Sequence, residues 1–89
     1  MKKVLKYPIP TYDHFGIELT VGAEILTVQE QLGDAFMWAL VDLDAKLEMR
    51  RFRFAGTGHT IEENNLKYIG TFQLQNGAFV GHLFEITYV

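Results

Sequence analysis

Period-two alternation limits this chain more than any other feature in it. Over residues 15–21 the apolar side chains Phe15, Ile17, Leu19 and Val21 are separated by Gly16, Glu18 and Thr20, the pattern of a half-buried strand. The pattern returns over 24–31, with Leu26 and Val28 directed inward and Thr27 and Gln29 outward. It returns again over 66–75, where Leu66, Tyr68, Gly70, Phe72 and Leu74 share a face and Ile69 alone breaks the series. An amphipathic helix needs an apolar stripe that follows the helical turn, and no long stretch carries one.

The remaining strands differ in how they are bounded. Residues 4–9 read as a strand stopped by Pro8 and Pro10; proline has no N–H for the ladder, so this strand lies at an edge or ends there. Residues 35–41 are apolar on both faces, with Ala35, Met37, Ala39 and Val41 on one side and Phe36, Trp38 and Leu40 on the other. One small core cannot contain both sides, so this strand is central or is half buried in an oligomer interface. A short buried helix competes, but flanking turn residues, two aromatics and the length favour a strand. Residues 48–55 and 78–88 complete the set. Gly22-Ala23 and Gly33-Asp34 mark tight turns, and Asn76-Gly77 is the strongest hairpin signal. Short connections favour neighbouring antiparallel strands. Residues 1–89 therefore read as one all-β domain, an antiparallel meander of about seven strands forming a small barrel or sandwich.

Composition narrows the function more than it names it. The chain has 89 residues and no cysteine, which excludes disulfides and thiolate metal sites and makes the reducing cytoplasm its natural setting. An apolar fraction of 48% is more than so short a chain can hide inside itself, so some of it should be covered by another copy or a partner. Eight Lys and Arg against eleven Asp and Glu argue against a nucleic-acid-binding domain that works by neutralising phosphates. Lys2, Lys3 and Lys6 are not followed by an apolar run, so no signal peptide is expected, and 35–41 is too short to cross a bilayer.

The stretch from Arg50 to His59 is where a regular element runs into a candidate site. Phe52 and Phe54 alternate with Arg51 and Arg53, and then Gly56, Thr57, Gly58 and His59 give up side-chain bulk where the backbone must turn or approach something. One interpretation is an anion-binding nest with Arg51 or Arg53 nearby. The other, which the missing P-loop lysine favours, is a strand end that turns, with His59 capping local backbone groups.

Three phrases taken together carry a resemblance: Phe36-Met37-Trp38-Ala39-Leu40-Val41-Asp42, Phe52-Arg53-Phe54-Ala55-Gly56-Thr57-Gly58-His59, and Tyr68-Ile69-Gly70-Thr71-Phe72-Gln73-Leu74. With Lys6-Tyr7-Pro8 and Gly22-Ala23-Glu24-Ile25-Leu26, the chain resembles a family of small uncharacterised domains found in phages and other mobile genetic elements. The resemblance covers nearly the whole chain. It implies a horizontally carried accessory gene and supplies no catalytic residues.

Chemistry-bearing groups are sparse. His14, His59 and His82 are far apart in sequence, without the short-spaced pair of a usual metal site, so no metal or cofactor is expected. There is no serine or cysteine nucleophile, and the carboxylates Glu62, Glu63, Asp42 and Asp44 fall in charged loops. A basic stripe of Arg50, Arg51, Arg53 and Lys67 would be neutralised by cross-strand acids such as Glu48 or Glu24. The expectation is a non-enzymatic, homo-oligomeric accessory or binding domain with no membrane partner. Met37, Trp38, Ala39 and Val41 would lie at its interface, and Arg51, Arg53, Gly56, Thr57, Gly58 and His59 would form its candidate ligand site. The alternative is a small-ligand-binding protein or enzyme with a pocket at a subunit boundary near His59 and Arg53.

Overall fold

The computed structural model of the chain describes residues 1–87. Seven strands follow one another: β1 (Lys2–Pro8), β2 (His14–Thr20), β3 (Glu24–Gln31), β4 (Asp34–Asp42), β5 (Leu47–Gly56), β6 (Leu66–Leu74) and β7 (Phe79–Ile86), with one 3-10 turn at Gln75–Gly77. They form two antiparallel sheets. Sheet A has the order β1-β4-β3, and sheet B the order β2-β5-β7-β6. Neither sheet closes on itself, so the sandwich is formed and the barrel is not. The expected strand end at Tyr88 lies outside the described residues.

Only β3–β4 and β6–β7 pair as sequential hairpins. The turn at Gly22 and the loop 43–46 instead carry the chain from one sheet to the other, so the order departs from a simple meander. Alternating strands have one apolar face each, and switching sheets lets both sets of faces meet in a single core. Ala35, Met37, Ala39 and Val41 of β4 point into that core, where Leu19, Phe52, Phe54, Phe72 and Leu83 of sheet B meet them. Small residues on β4 leave room for rings: Phe52 stacks on Phe15 at 5.5 Å, and Phe54 contacts both Phe72 and Phe79. A fully buried side chain such as Phe52 contributes about 1.5–3 kcal/mol.

The doubly apolar strand takes the central place, one of the two its pattern allows: β4 lies between β1 and β3. β1 is an edge strand ending at Pro8. Two β-bulges correct the face assignments. Register shifts between Ile25 and Thr27, so Ile25 and Val28 turn inward while Leu26, expected inside, is 46% exposed. A second shift between Tyr68 and Gly70 makes Ile69 the inserted residue and puts Tyr68 on the face opposite Phe72 and Leu74. One extra residue reverses the alternation on one side of it. β3 and β6 run close together at this margin of the sandwich, and a Cβ on Gly70 would meet Val28 Cγ1 at 2.8 Å.

Candidate functional site

β5 ends at Gly56, and the next residues determine what covers the outer face of sheet B. His59 N–H donates to Gly56 O at 3.1 Å and Gly58 has φ +88°, the third position of a turn where a side chain would be strained. Thr57 N–H donates to Val80 O at 3.2 Å. Two of the amides available to an anion nest are therefore engaged within the fold. The chain then doubles back, and 57–65 lies over the end of sheet B.

Arg53 is the anchor of that loop. It is only 6% exposed, although it points away from the core. Its Nη2 donates to Thr60 O at 2.9 Å, its Nε to Glu63 Oε1 at 3.3 Å and its Nη1 to Asp13 O at 3.4 Å, with a further bond to Phe54 O. His14, which pairs with Arg53 across β2 and β5, donates Nε2–H to Glu63 Oε2. The His14 bond, followed by a bond from its own backbone amide and then Arg53, lowers the Glu63 carboxyl to about 2. Arg51 lies on the same outer face but is exposed beside Gly16, apart from this network.

The Thr57 hydroxyl meets His82 Nε2 at 2.7 Å, His82 Nδ1 meets Thr71 Oγ1 at 2.9 Å, and Thr71 Oγ1 meets the Tyr68 hydroxyl at 2.6 Å. His59 is placed differently. Its ring lies over Gly56 beside Phe79, and neither ring nitrogen bonds to another described residue. A cleft of about 310 Å³ opens there, walled by Phe54, Phe79 and Leu74, with Thr11, Asp13, His59 and Gln75 as polar members. The chain thus gathers Gly56, Thr57, Gly58, His59 and the buried Arg53 at one end of the sandwich and leaves Arg51 elsewhere.

Sequence reasoning missed three members of these clusters. Glu63 was read as a loop residue and Asp13 was not singled out, and no local spacing ties either to Arg53. Glu85 was missed although a signal existed. Arg50 shares the inward face of Phe52 and Phe54, and Glu85 that of Leu83, so the two charges had to meet inside. Arg50 Nε and Nη2 donate to Glu85 at 2.6 and 2.7 Å and Nη1 donates to Ala23 O at 2.6 Å. That pairing with Glu85 raises the Arg50 pKa. Both charges border a second cavity of about 300 Å³, which also touches Lys67 and Tyr68.

Of the residues expected at a subunit interface, Met37, Ala39 and Val41 are in the core with 0%, 0% and 1% exposure. Trp38 points the other way, 6.2 Å from Phe36 ring to ring, and Leu40 continues the row. Register places Val4 beside Leu40 and Lys6 beside Trp38, while Lys6 Nζ sits 4.5 Å from the centre of the Phe36 ring. No group of three His, Asp or Glu side chains suited to a metal ion occurs among the described residues.

Two packed antiparallel sheets, an apolar outer face and a small end-on cleft define a small all-β sandwich domain. More narrowly, the chain matches over residues 1–88 the family described as a domain of unknown function (DUF7352), and it belongs to that family. No curated protein and no solved structure matches the chain.

Proposed function

We propose that this is a non-enzymatic binding domain that acts as a homodimer in the cytoplasm, joined through the outer face of sheet A. Carriage on a phage or other mobile element is part of the same proposal and rests on the resemblance of its Trp38 and Gly56-Thr57-Gly58-His59 phrases to such domains. The observation that carries the proposal is the row Phe36, Trp38 and Leu40 down the centre of an uncovered sheet, with the exposed Val4 and Leu26 beside it. Aromatic rows of this kind are enriched at interface centres.

The flanks favour a second copy as the occupant. β1 contributes Lys2 and Lys6 to this face, and β3 contributes Glu24, Thr27 and Gln29. A two-fold axis in the contact plane, parallel to β4, lays the lysine flank of each copy over the flank of the other that carries Glu24 and the neutral Thr27 and Gln29. A two-fold contact is self-complementary, so one patch serves both partners.

Size-exclusion chromatography with light scattering at micromolar concentration tests this directly. The expected mass is twice that of the protomer, and Trp38→Glu should yield a folded monomer. A wild-type monomer, or a Trp38→Glu dimer, would remove sheet A as the interface.

A further inference from the structure

We propose that the cleft beside the turn 56–59 binds a small planar aromatic molecule carrying an amino or amidino group. Phe54 and Phe79 lie 5.9 Å apart with planes 4° from parallel, and Leu74 lies alongside, so the apolar lining suits a flat ring. At about 310 Å³ the cleft has room for one or two fused rings.

Of the polar groups lining the cleft, Thr11 and Gln75 are neutral, so Asp13 and His59 set the charge of the ligand. His14 and His82 both spend ring nitrogens inside the protein, whereas His59 is positioned at the cleft with its nitrogens free of described partners. Asp13 is pinned through its backbone: its carbonyl accepts from Phe54 N–H at 3.0 Å and from Arg53 Nη1 at 3.4 Å. Its carboxylate is left nearly unspent. The cation beside it is Arg53 Nη1 at 3.9 Å, on a guanidinium already bonded to Glu63, Thr60 and Phe54. No lysine or arginine lines the cleft. An acceptor-only carboxylate next to an apolar wall rewards a donating, preferably cationic, headgroup and repels an anion. The imidazole of His59 can donate or accept, so it accommodates a ring nitrogen on the same ligand.

The cleft is at one end of the sandwich and the Trp38 row is on the outer face of sheet A, so this site and the proposed dimer stand or fall separately. Benzamidine, benzamide and benzoate share one shape and differ in charge. Each should be titrated into the full chain and followed by amide chemical shifts. Benzamidine is expected to bind tightest and benzoate weakest, with saturable shifts at Phe54, His59, Leu74 and Phe79. Asp13→Asn should weaken benzamidine roughly tenfold, the loss of one charge-assisted hydrogen bond, and leave benzamide almost unchanged. Because Asp13 engages the fold through its carbonyl, that variant retains the native spectrum. Phe79→Leu should weaken all three probes. Benzoate binding as well as benzamidine, shifts confined to other surfaces, or no saturable shift with any probe would overturn the proposal.

Discussion

The two sheets share one core and treat their outer faces in opposite ways. Sheet B is covered at its Arg53 end: the loop 57–65 folds over it, Arg53 is tied into that loop, and Thr57, His82, Thr71 and Tyr68 are linked by hydrogen bonds. Sheet A has no such cover, and its central strand presents Phe36, Trp38 and Leu40 with only Lys6 laid across one ring. A chain of 89 residues has material to cover part of one sheet and leaves the outer face of the other open. Hydrogen-bonded polar side chains knit the covered face, where Tyr68 and Phe84 also pack 5.7 Å apart, while an unbroken apolar row runs down the central strand of the open one.

The largest test of this contrast sets one aromatic of each kind side by side. Phe52 is fully buried and stacked on Phe15, so Phe52→Ala removes a ring from a core that cannot collapse around the void. The expected cost is about 3–5 kcal/mol, against a total stability on the order of 5–10 kcal/mol for a domain this small. Trp38→Ala should cost the isolated protomer only about 1 kcal/mol, its packing on Phe36. Urea unfolding of both variants, with the Trp38 measurement made at concentrations low enough to favour the protomer, gives the comparison. Equal losses would mean that the outer row of β4 is structural in the protomer after all.

Much of this contrast is legible in the sequence. Alternation and turn residues located about seven strands, and the doubly apolar 35–41 pointed to a strand either central or half buried in an oligomer interface. What alternation cannot register is an inserted residue. Leu26 and Ile69 sit at bulges, so the faces of β3 and β6 were assigned wrongly on one side of each. Strand order was equally hidden, because the turn at Gly22 looks the same whether it closes a hairpin or crosses between sheets. The candidate site was half legible. Its turn residues were found from glycine spacing, but Asp13 and Glu63 reach Arg53 across 40 and 10 residues, and no local pattern records such pairings; Glu85, 35 residues from Arg50, left a trace only in sharing the inward face.

The cover on sheet B should open with acid, because a carboxylate pins its loop; the lowered carboxylate of sheet A, Asp42, is held by the Asp44 amide and the Met1 amine at the end of β4 and ties down no such cover. Glu63 is bonded to His14 first and to Arg53 further down the order, and its carboxyl is lowered from 4.5 to about 2. The fold therefore prefers the charged form. Its contribution is complete above the unfolded value of 4.5 and is lost as pH falls towards 2. Hydrogen exchange across 57–65 should quicken over that interval in the native chain. In Glu63→Gln exchange should already be fast at neutral pH, with no further acid step in that loop. An unchanged acid step in the variant would assign the effect to another carboxylate.

The hairpins provide the finest test, because each sheet has one and they differ in turn chemistry. In sheet B the left-handed positions between β6 and β7 are Gln75, Asn76 and Gly77, with φ of 52°, 55° and 91°. In sheet A the two-residue turn between β3 and β4 is Leu32 and Gly33, with φ of 53° and 92°. Asparagine tolerates this region because its short amide can bond locally, whereas leucine is strained there. Leu32 is 97% exposed, so replacing it forfeits no packing within the protomer. Leu32→Asn should stabilise the chain by about 0.5–1 kcal/mol, and Asn76→Leu should destabilise it by a similar amount. Thermal unfolding of the two variants reads both signs in one experiment. A loss of stability in Leu32→Asn that appears only at concentrations supporting the dimer would place Leu32 in the contact between copies, and the open face of sheet A would then extend to its hairpin.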